Sequence, residues 1–396
     1  LGAWYTPDAL VEHVVDRALD GLAPGAHPVR VLDPACGDGR FLAAVGRRLG
    51  DRAELVGCDI DATAVAAARS ALGPAATIIE ADALTHDWGS GTFDIVVGNP
   101  PFLNQLARAT TRGGRSRYGG GPYADTAAVF LALAVRLVAP SGRIGLVLPQ
   151  PLLSARDAAD IRDAVDATAA MRWMWWSDDH LFDAQVRVWA GVWEVAGPPG
   201  PVQRARGTDF GPIASMTMPA MWAALLTGGS PGVHDGPVLA DIATFTADFR
   251  DQYYGLIGAV GDDIDGPPLV TSGLIDPGVC HWGTRPVRFA KQWYTAPRVA
   301  LDRLSPRLQQ WAAQRLVPKV LVANQTSVIE AVHDQRGEWL PSVPVITCTS
   351  TDLERVMAVL SSPTATEWVH HRAAGSGLGA GSVRLNARLL GSIPLG

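Results

Sequence analysis

The feature that most limits what this chain can fold into is the exchange of short apolar runs with helical patterns through its first half. Val29 to Leu32, Glu54 to Cys58, Ala76 to Ile79, Phe93 to Val97, Gly142 to Leu148 and Val186 to Val195 are short, largely aliphatic runs of the kind buried strands need. Between them, 39–49, 62–71, 126–138 and 155–167 repeat apolar residues at helical spacing. Strands alternating with helices of roughly 10–15 residues predict an α/β fold, a doubly wound and mostly parallel sheet covered on both faces. In such sheets ligands bind beyond the carboxyl ends of the strands, so the residues that follow each strand carry the functional information.

The first strand runs into Asp33-Pro34-Ala35-Cys36-Gly37-Asp38-Gly39. Gly37 and Gly39 permit close backbone approach. The third glycine of a dinucleotide fingerprint is replaced by Leu42, which disfavours a nicotinamide cofactor. Asp33 instead places an acid at the strand end, suited to a cationic ligand such as a sulfonium carrying an α-amino group. The second strand ends in Asp59-Ile60-Asp61, about 20 residues beyond the glycine loop, where an acid can bind ribose hydroxyls. Ile60 can cover an adenine face, while Asp61 suits a helix N-cap. After the third strand, Asp82-Ala83 offers an acceptor for an adenine amino group.

The fourth strand delivers Asn99-Pro100-Pro101-Phe102. The lone pair of an exocyclic amine is delocalised into its aromatic ring, which makes the nitrogen a poor nucleophile. Two acceptors on its two N–H bonds draw it toward tetrahedral geometry and restore nucleophilicity. Asn99 brings a side-chain carbonyl and Pro100 a backbone carbonyl, held by consecutive prolines in stiff extended backbone. Such preorganisation is what electrostatic catalysis uses. Phe102 offers a face on which a base can stack.

These motifs together resemble the class I, N6-adenine DNA methyltransferases of gamma arrangement found in type II restriction–modification systems, whose catalytic domain is Rossmann-like. Gly2 to Pro7 is similar to the family's N-terminal motif, whose threonine, here Thr6, lies near the methionine end of the cofactor. The resemblance covers about 2–195 and implies S-adenosyl-L-methionine as cofactor, bound by Thr6, Asp33, Ala35, Gly37, Gly39, Asp59, Ile60, Asp82, Ala83 and Phe130. It implies Asn99, Pro100 and Phe102 as catalytic residues acting on a flipped adenine. The N-terminal motif precedes the glycine loop and the long extra segment comes last, which is the gamma order. A C-terminal α+β target-recognition domain is then expected, with Lys319 to Thr326 and Leu385 to Pro394 similar to such domains.

Domain boundaries follow composition. The Gly197 to Pro201 run reads as an exit, giving a catalytic domain over 1–196, a linker over 197–236 and a recognition domain over 237–396. The net charge of −6 disfavours a nucleic-acid partner at first sight. Its distribution does not. Between 280 and 320, Arg285, Arg288, Lys291, Arg298, Arg303, Arg307, Arg315 and Lys319 are opposed in sequence only by Asp302. Arg108, Arg112, Arg115 and Arg117 occupy a second acid-free stretch beside the tetrad. Arg108, Arg112, Arg115, Arg117, Arg285, Arg288, Lys291 and Lys319 are therefore the expected contacts to double-stranded DNA.

Four scattered cysteines without C-x-x-C spacing point to reduced thiols in a cytoplasm and to no metal site. No run of about 18 apolar residues suggests a membrane span, and no secretory leader is visible. Trp173, Trp175 and Trp176 read as core. Neither lysine is preceded by the acid-x-Lys spacing of restriction nucleases, so any nuclease or defence protein is expected on a separate chain. Methylation of a protein glutamine or of RNA adenine, or an inactive specificity subunit, are the competing expectations.

Overall fold

The computed structural model describes residues 6–22, 27–89, 92–102, 117–179, 187–229, 234–248, 250–377, 379 and 381–396. The chain divides into two compact units, Leu1–Gly228 and Gly229–Gly396.

The first unit is built on a nine-stranded sheet. Its strands are β1 (Val29–Asp33), β2 (Ala53–Asp59), β3 (Ala76–Glu80), β4 (Phe93–Gly98), β5 (Val138–Pro149), β6 (Ala169–Trp176), β7 (Val188–Val195), β8 (Pro201–Arg206) and β9 (Gly211–Thr217). The spatial order is β3-β2-β1-β4-β5-β7-β6-β8-β9. The first five strands of that order run parallel. Strand β7 lies antiparallel between β5 and β6, and the β8–β9 pair extends the far edge. The helices are α1 (Asp8–Leu19), α2 (Arg40–Leu49), α3 (Ala62–Leu72), α4 (Thr126–Leu137) and α5 (Ala159–Thr168).

Alternation along the strands separates two cores. Leu32 and Val96 face the cluster built with α4 and α5, whereas Val31, Ile95 and Val97 face the one built with α1, α2 and α3. This is a doubly wound, Rossmann-like α/β architecture. Strand order reverses between β1 and β4, and the crevice at that switch point is where ligands of such sheets bind.

The expected linker is corrected. Residues 197–200 form only the turn from β7 to β8, and the next two strands belong to the first sheet. Val202 and Ala205 are buried in it, and buried Arg204 donates to the carbonyls of Ala214 and Leu225. Glycine and proline mark a change of chain direction whether or not a domain ends there. The expected tryptophan core is present: Trp173, Trp175 and Trp176 are buried on β6, and Trp189 and Trp193 of β7 meet Trp222 with ring centroids 6.0 and 5.9 Å away.

The second unit is α+β. A four-stranded antiparallel sheet runs in the order Ala243–Ala247, Ile346–Ser350, Lys319–Val322, Ala331–Asp334. Helices Leu353–Leu360 and Pro363–Ala373 close one core over it, through Val356, Leu360, Ala365 and Val369. Among the described residues no helix is long and apolar enough to cross a membrane, and no group of three or more His, Cys, Asp or Glu is placed to hold a metal ion.

Candidate active site

The carboxyl ends of β1, β2 and β4 bring the motif residues together, and the glycines explain how. Gly39 caps α2 with φ of 83°, and a Cβ there would lie 2.9 Å from Leu72 Cδ1. Gly98 closes β4 with φ of 152°, and a Cβ there would meet Asp33 Oδ1 at 2.5 Å. Only glycine lets the strand carrying Asn99 lie this tightly against the acid at the end of β1.

Asp33 is buried and accepts from the Ala35 backbone N–H at 3.1 Å. Among the described residues no basic side chain pairs with it. Burial, opposed by that one hydrogen bond and reinforced by the charges of Asp59 and Asp38, raises its pKa from 3.8 to about 8. Asp59 holds the glycine loop, since its carboxylate accepts from Gly37 N–H at 2.9 Å and from Asp61 N–H at 3.0 Å. Asp61 caps α3 through Thr63 N–H, as its spacing suggested. Beside Asp59, Ile60 is 72% exposed, a large apolar side chain left open at the crevice.

The tetrad sits at the end of β4 with Pro100 buried and Asn99, Pro101 and Phe102 half-buried. Asn99 Nδ2 donates to Thr6 Oγ1 at 3.0 Å, which fixes the donor and acceptor ends of the amide. Thr6 is itself buried, and its backbone carbonyl accepts from Arg40. Arg40 also pairs with Asp38 of the glycine loop at 2.8 Å. The half-buried arginine beside Asp38 holds that carboxyl below the ordinary aspartate range against the opposing cost of burial. A relay thus joins the loop to the tetrad: Asp38, Arg40, Thr6, Asn99. Sequence reasoning missed Arg40. A signal was present, because a basic residue at the first turn of a helix opposes the helix dipole and needs a compensating partner.

Asp82, Ala83, Phe130 and Arg117 are the other expected residues of this unit that the structure describes. Asp82 Oδ1 accepts from Leu84 N–H at 2.9 Å, so it shapes its own turn. Ala83 and Phe130 are buried in one apolar cluster, against which Phe102 packs. Arg117 is exposed and stacks on Tyr118, its guanidinium carbon 4.8 Å from the ring centroid, and Tyr118 Oη donates to the Leu84 carbonyl at 3.1 Å. Arg108, Arg112 and Arg115 lie outside the described residues.

The basic stretch of the second unit does not survive intact. Lys319 is 0% exposed and pairs with buried Asp334, its partner in strand register. Burial lowers the Lys319 pKa against the pull of Asp334. It is a structural pair, and the expected DNA contact there is withdrawn. Arg285 donates to both carboxylate oxygens of Asp276, at 3.0 and 2.6 Å, and Arg315 pairs with Asp248 at 2.6 Å. The acids that oppose this stretch come from elsewhere in the sequence. Arg288 and Lys291 have no ion-pair partner among the described residues, and both are exposed.

Residues 1–187 match the family model described as N-6 DNA Methylase. The match covers a little under half of the chain, and this part is similar to the N-6 DNA methylase family. Two curated relatives agree. A type II methyltransferase of Thermus thermophilus is 30% identical over 181 residues, covering 41% of this chain and 38% of that protein. The type II methyltransferase M.VspI of Vibrio sp. (strain 343) is 24% identical over 169 residues, covering 41% of this chain and 40% of that protein. The match therefore spans about two fifths of those relatives' length. In fold, the chain is similar to the type IIL restriction–modification enzyme MmeI, solved in complex with DNA, with a TM-score of 0.57 at 13% identity over 92% of this chain and 61% of that one. That likeness in fold extends past residue 187 into the second unit.

Proposed function

We propose that this chain transfers a methyl group to the N6 amine of an adenine flipped out of double-stranded DNA, with S-adenosylmethionine as donor and the second unit gripping the duplex. The observation that carries this reading is the placement of Asn99 at the end of β4, its amide oriented by Thr6 and its strand pressed through Gly98 against Asp33.

The crevice fits the donor by its chemistry. A buried carboxyl with no basic partner among the described residues suits a cationic amino acid moiety, an aspartate at the end of β2 suits ribose hydroxyls, and exposed Ile60 suits an adenine face. Thr6, Asp33, Ala35, Gly37 and Gly39 would hold the methionine end, and Asp59, Ile60, Asp82, Ala83 and Phe130 the nucleoside. When bound, the donor supplies an electrophilic methyl on a positively charged sulfur. Asn99 and the Pro100 carbonyl accept from the two N–H bonds of the target amine and turn its lone pair outward. Phe102 stacks the base. Holding the amine in line supplies much of the acceleration. Extrusion is required because a duplex hides N6 from any active-site pocket.

Methyl-labelled donor incubated separately with bacterial DNA, RNA and a release-factor protein tests this. Label in DNA is expected; label confined to RNA or protein overturns it. In the same assay Asn99→Ala is expected to lower turnover by about 100-fold or more, the scale seen when one preorganised polar group is removed. Donor affinity should stay within a few fold of wild type. Turnover that persists in this variant would remove Asn99 from the role assigned.

A further inference from the structure

One element of the second unit stands out once the paired cations are set aside. Strands Val287–Phe289 and Gln292–Tyr294 form a two-stranded antiparallel hairpin, with Val287 opposite Tyr294, Arg288 opposite Trp293 and Phe289 opposite Gln292. Val287 and Phe289 point inward and are buried. Arg288 and Trp293 therefore share the outer face directly across the ribbon. Trp293 is 70% exposed, an uncommon place for the largest apolar side chain.

The hairpin is also braced. Its turn residues Ala290 and Lys291 both take positive φ, 47° and 70°, the hand that suits a tight hairpin turn but costs a residue with a side chain. Tyr253 supports that turn, since its hydroxyl accepts from Ala290 N–H at 3.2 Å and its ring lies 5.0 Å from that of Phe289. The segment 285–295 contains three cations and no acid. Arg285 is held by Asp276, which leaves Arg288 and Lys291 as its unmatched charges among the described residues. Asp262 reaches the hairpin base, but its carboxylate is turned to the backbone N–H groups of Thr295 and Ala296 at about 3 Å.

We propose that this hairpin enters a groove of the DNA duplex, with Trp293 against the bases and Arg288 and Lys291 on the phosphates. It rests on the DNA reading above and names the element of the second unit that carries it. Three observations converge on nucleic acid: net positive charge along a narrow ribbon, an aromatic face beside it, and a backbone fixed before binding. A two-stranded ribbon fits the major groove of B-form DNA. An aromatic side chain against base edges, the thymine methyl included, and cations on flanking phosphates supply complementary parts of the affinity.

The test uses the full chain and a mixed-sequence DNA duplex, with binding measured across a salt series and methyl transfer followed on bacterial DNA. Trp293→Ala is expected to weaken duplex binding about tenfold, the scale of losing one base-pair contact in a duplex site. It should raise KM for DNA while leaving kcat and donor affinity unchanged. The double variant Arg288→Gln with Lys291→Gln should reduce the slope of log K against log salt by roughly 0.9 per contact removed. Arg336→Gln, an exposed cation already paired with Glu338, should leave the slope at its wild-type value. Wild-type protein that methylates DNA, with both hairpin variants matching it in affinity, KM and salt slope, overturns the hairpin alone. Wild-type protein that neither binds nor methylates duplex overturns the DNA reading and the hairpin with it.

Discussion

The two units treat their chemistry-bearing residues in opposite ways. In the first unit, residues far apart in sequence converge because each follows a strand, and parallel strands carry their ends to one edge. Asp33, Asp59 and Asn99 meet for that reason alone. In the second unit, residues adjacent in sequence disperse. Of the basic stretch from 285 to 319, Arg285, Arg315 and Lys319 are matched by Asp276, Asp248 and Asp334, none of them within that stretch. A motif tied to backbone topology survives folding, whereas a run of charge does not predict a charged surface.

The sharpest break of this contrast lies at Asp33. Its raised pKa means that, without ligand, its contribution to stability is fully present below about pH 4 and is lost as pH rises through about 8. At about 1.4 kcal/mol per pKa unit, this is the largest effect anticipated. Unfolding midpoints measured from pH 4 to 9 should fall more steeply for wild type than for Asp33→Asn. Identical pH profiles would remove the buried neutral acid from the account.

Lys319 tests the other unit. Removing one partner of a buried ion pair costs about 3–5 kcal/mol, so Lys319→Ala should lower the denaturant midpoint markedly. The salt dependence of duplex binding by protein that remains folded should not change. A variant of wild-type stability with a reduced salt slope would return Lys319 to the DNA surface.

How much was legible follows the same division. The strands from β1 to β5 could be read because buried parallel strands are continuous apolar runs bounded by turns. The place of Asn99 to Phe102 at a strand end could be read because consecutive prolines cannot continue a central strand. Strands β8 and β9 could not, since Gly197 to Pro201 resembles a linker as much as a turn, and β9 is mostly exposed. The burial of Lys319 was invisible because its partner Asp334 lies across a strand pairing that local sequence does not specify.

Arg40 sharpens the first unit. Arg40→Gln removes the ion pair to Asp38 and the bond to the Thr6 carbonyl, charge-assisted contacts worth about 1.5–3 kcal/mol. Donor affinity should weaken tenfold or more, and turnover should fall because Thr6 no longer holds Asn99. Isothermal titration with the donor and single-turnover rates separate the two effects. Loss of neither would reduce the relay to packing.

The smallest effect is expected at Arg285. Arg285→Gln breaks an exposed pair that solvent screens, and it should move the DNA salt slope less than the Arg288 and Lys291 double variant does. An equal change in slope would mean that the Asp276 pair opens to bind phosphate.

The central claim concerns one nitrogen. Bacterial DNA treated with the protein and donor, digested to nucleosides and resolved by mass spectrometry, tests it most directly. The account predicts N6-methyladenine that disappears with Asn99→Ala. Methyl groups found on cytosine instead, or N6-methyladenine formed equally well by the variant, would contradict it.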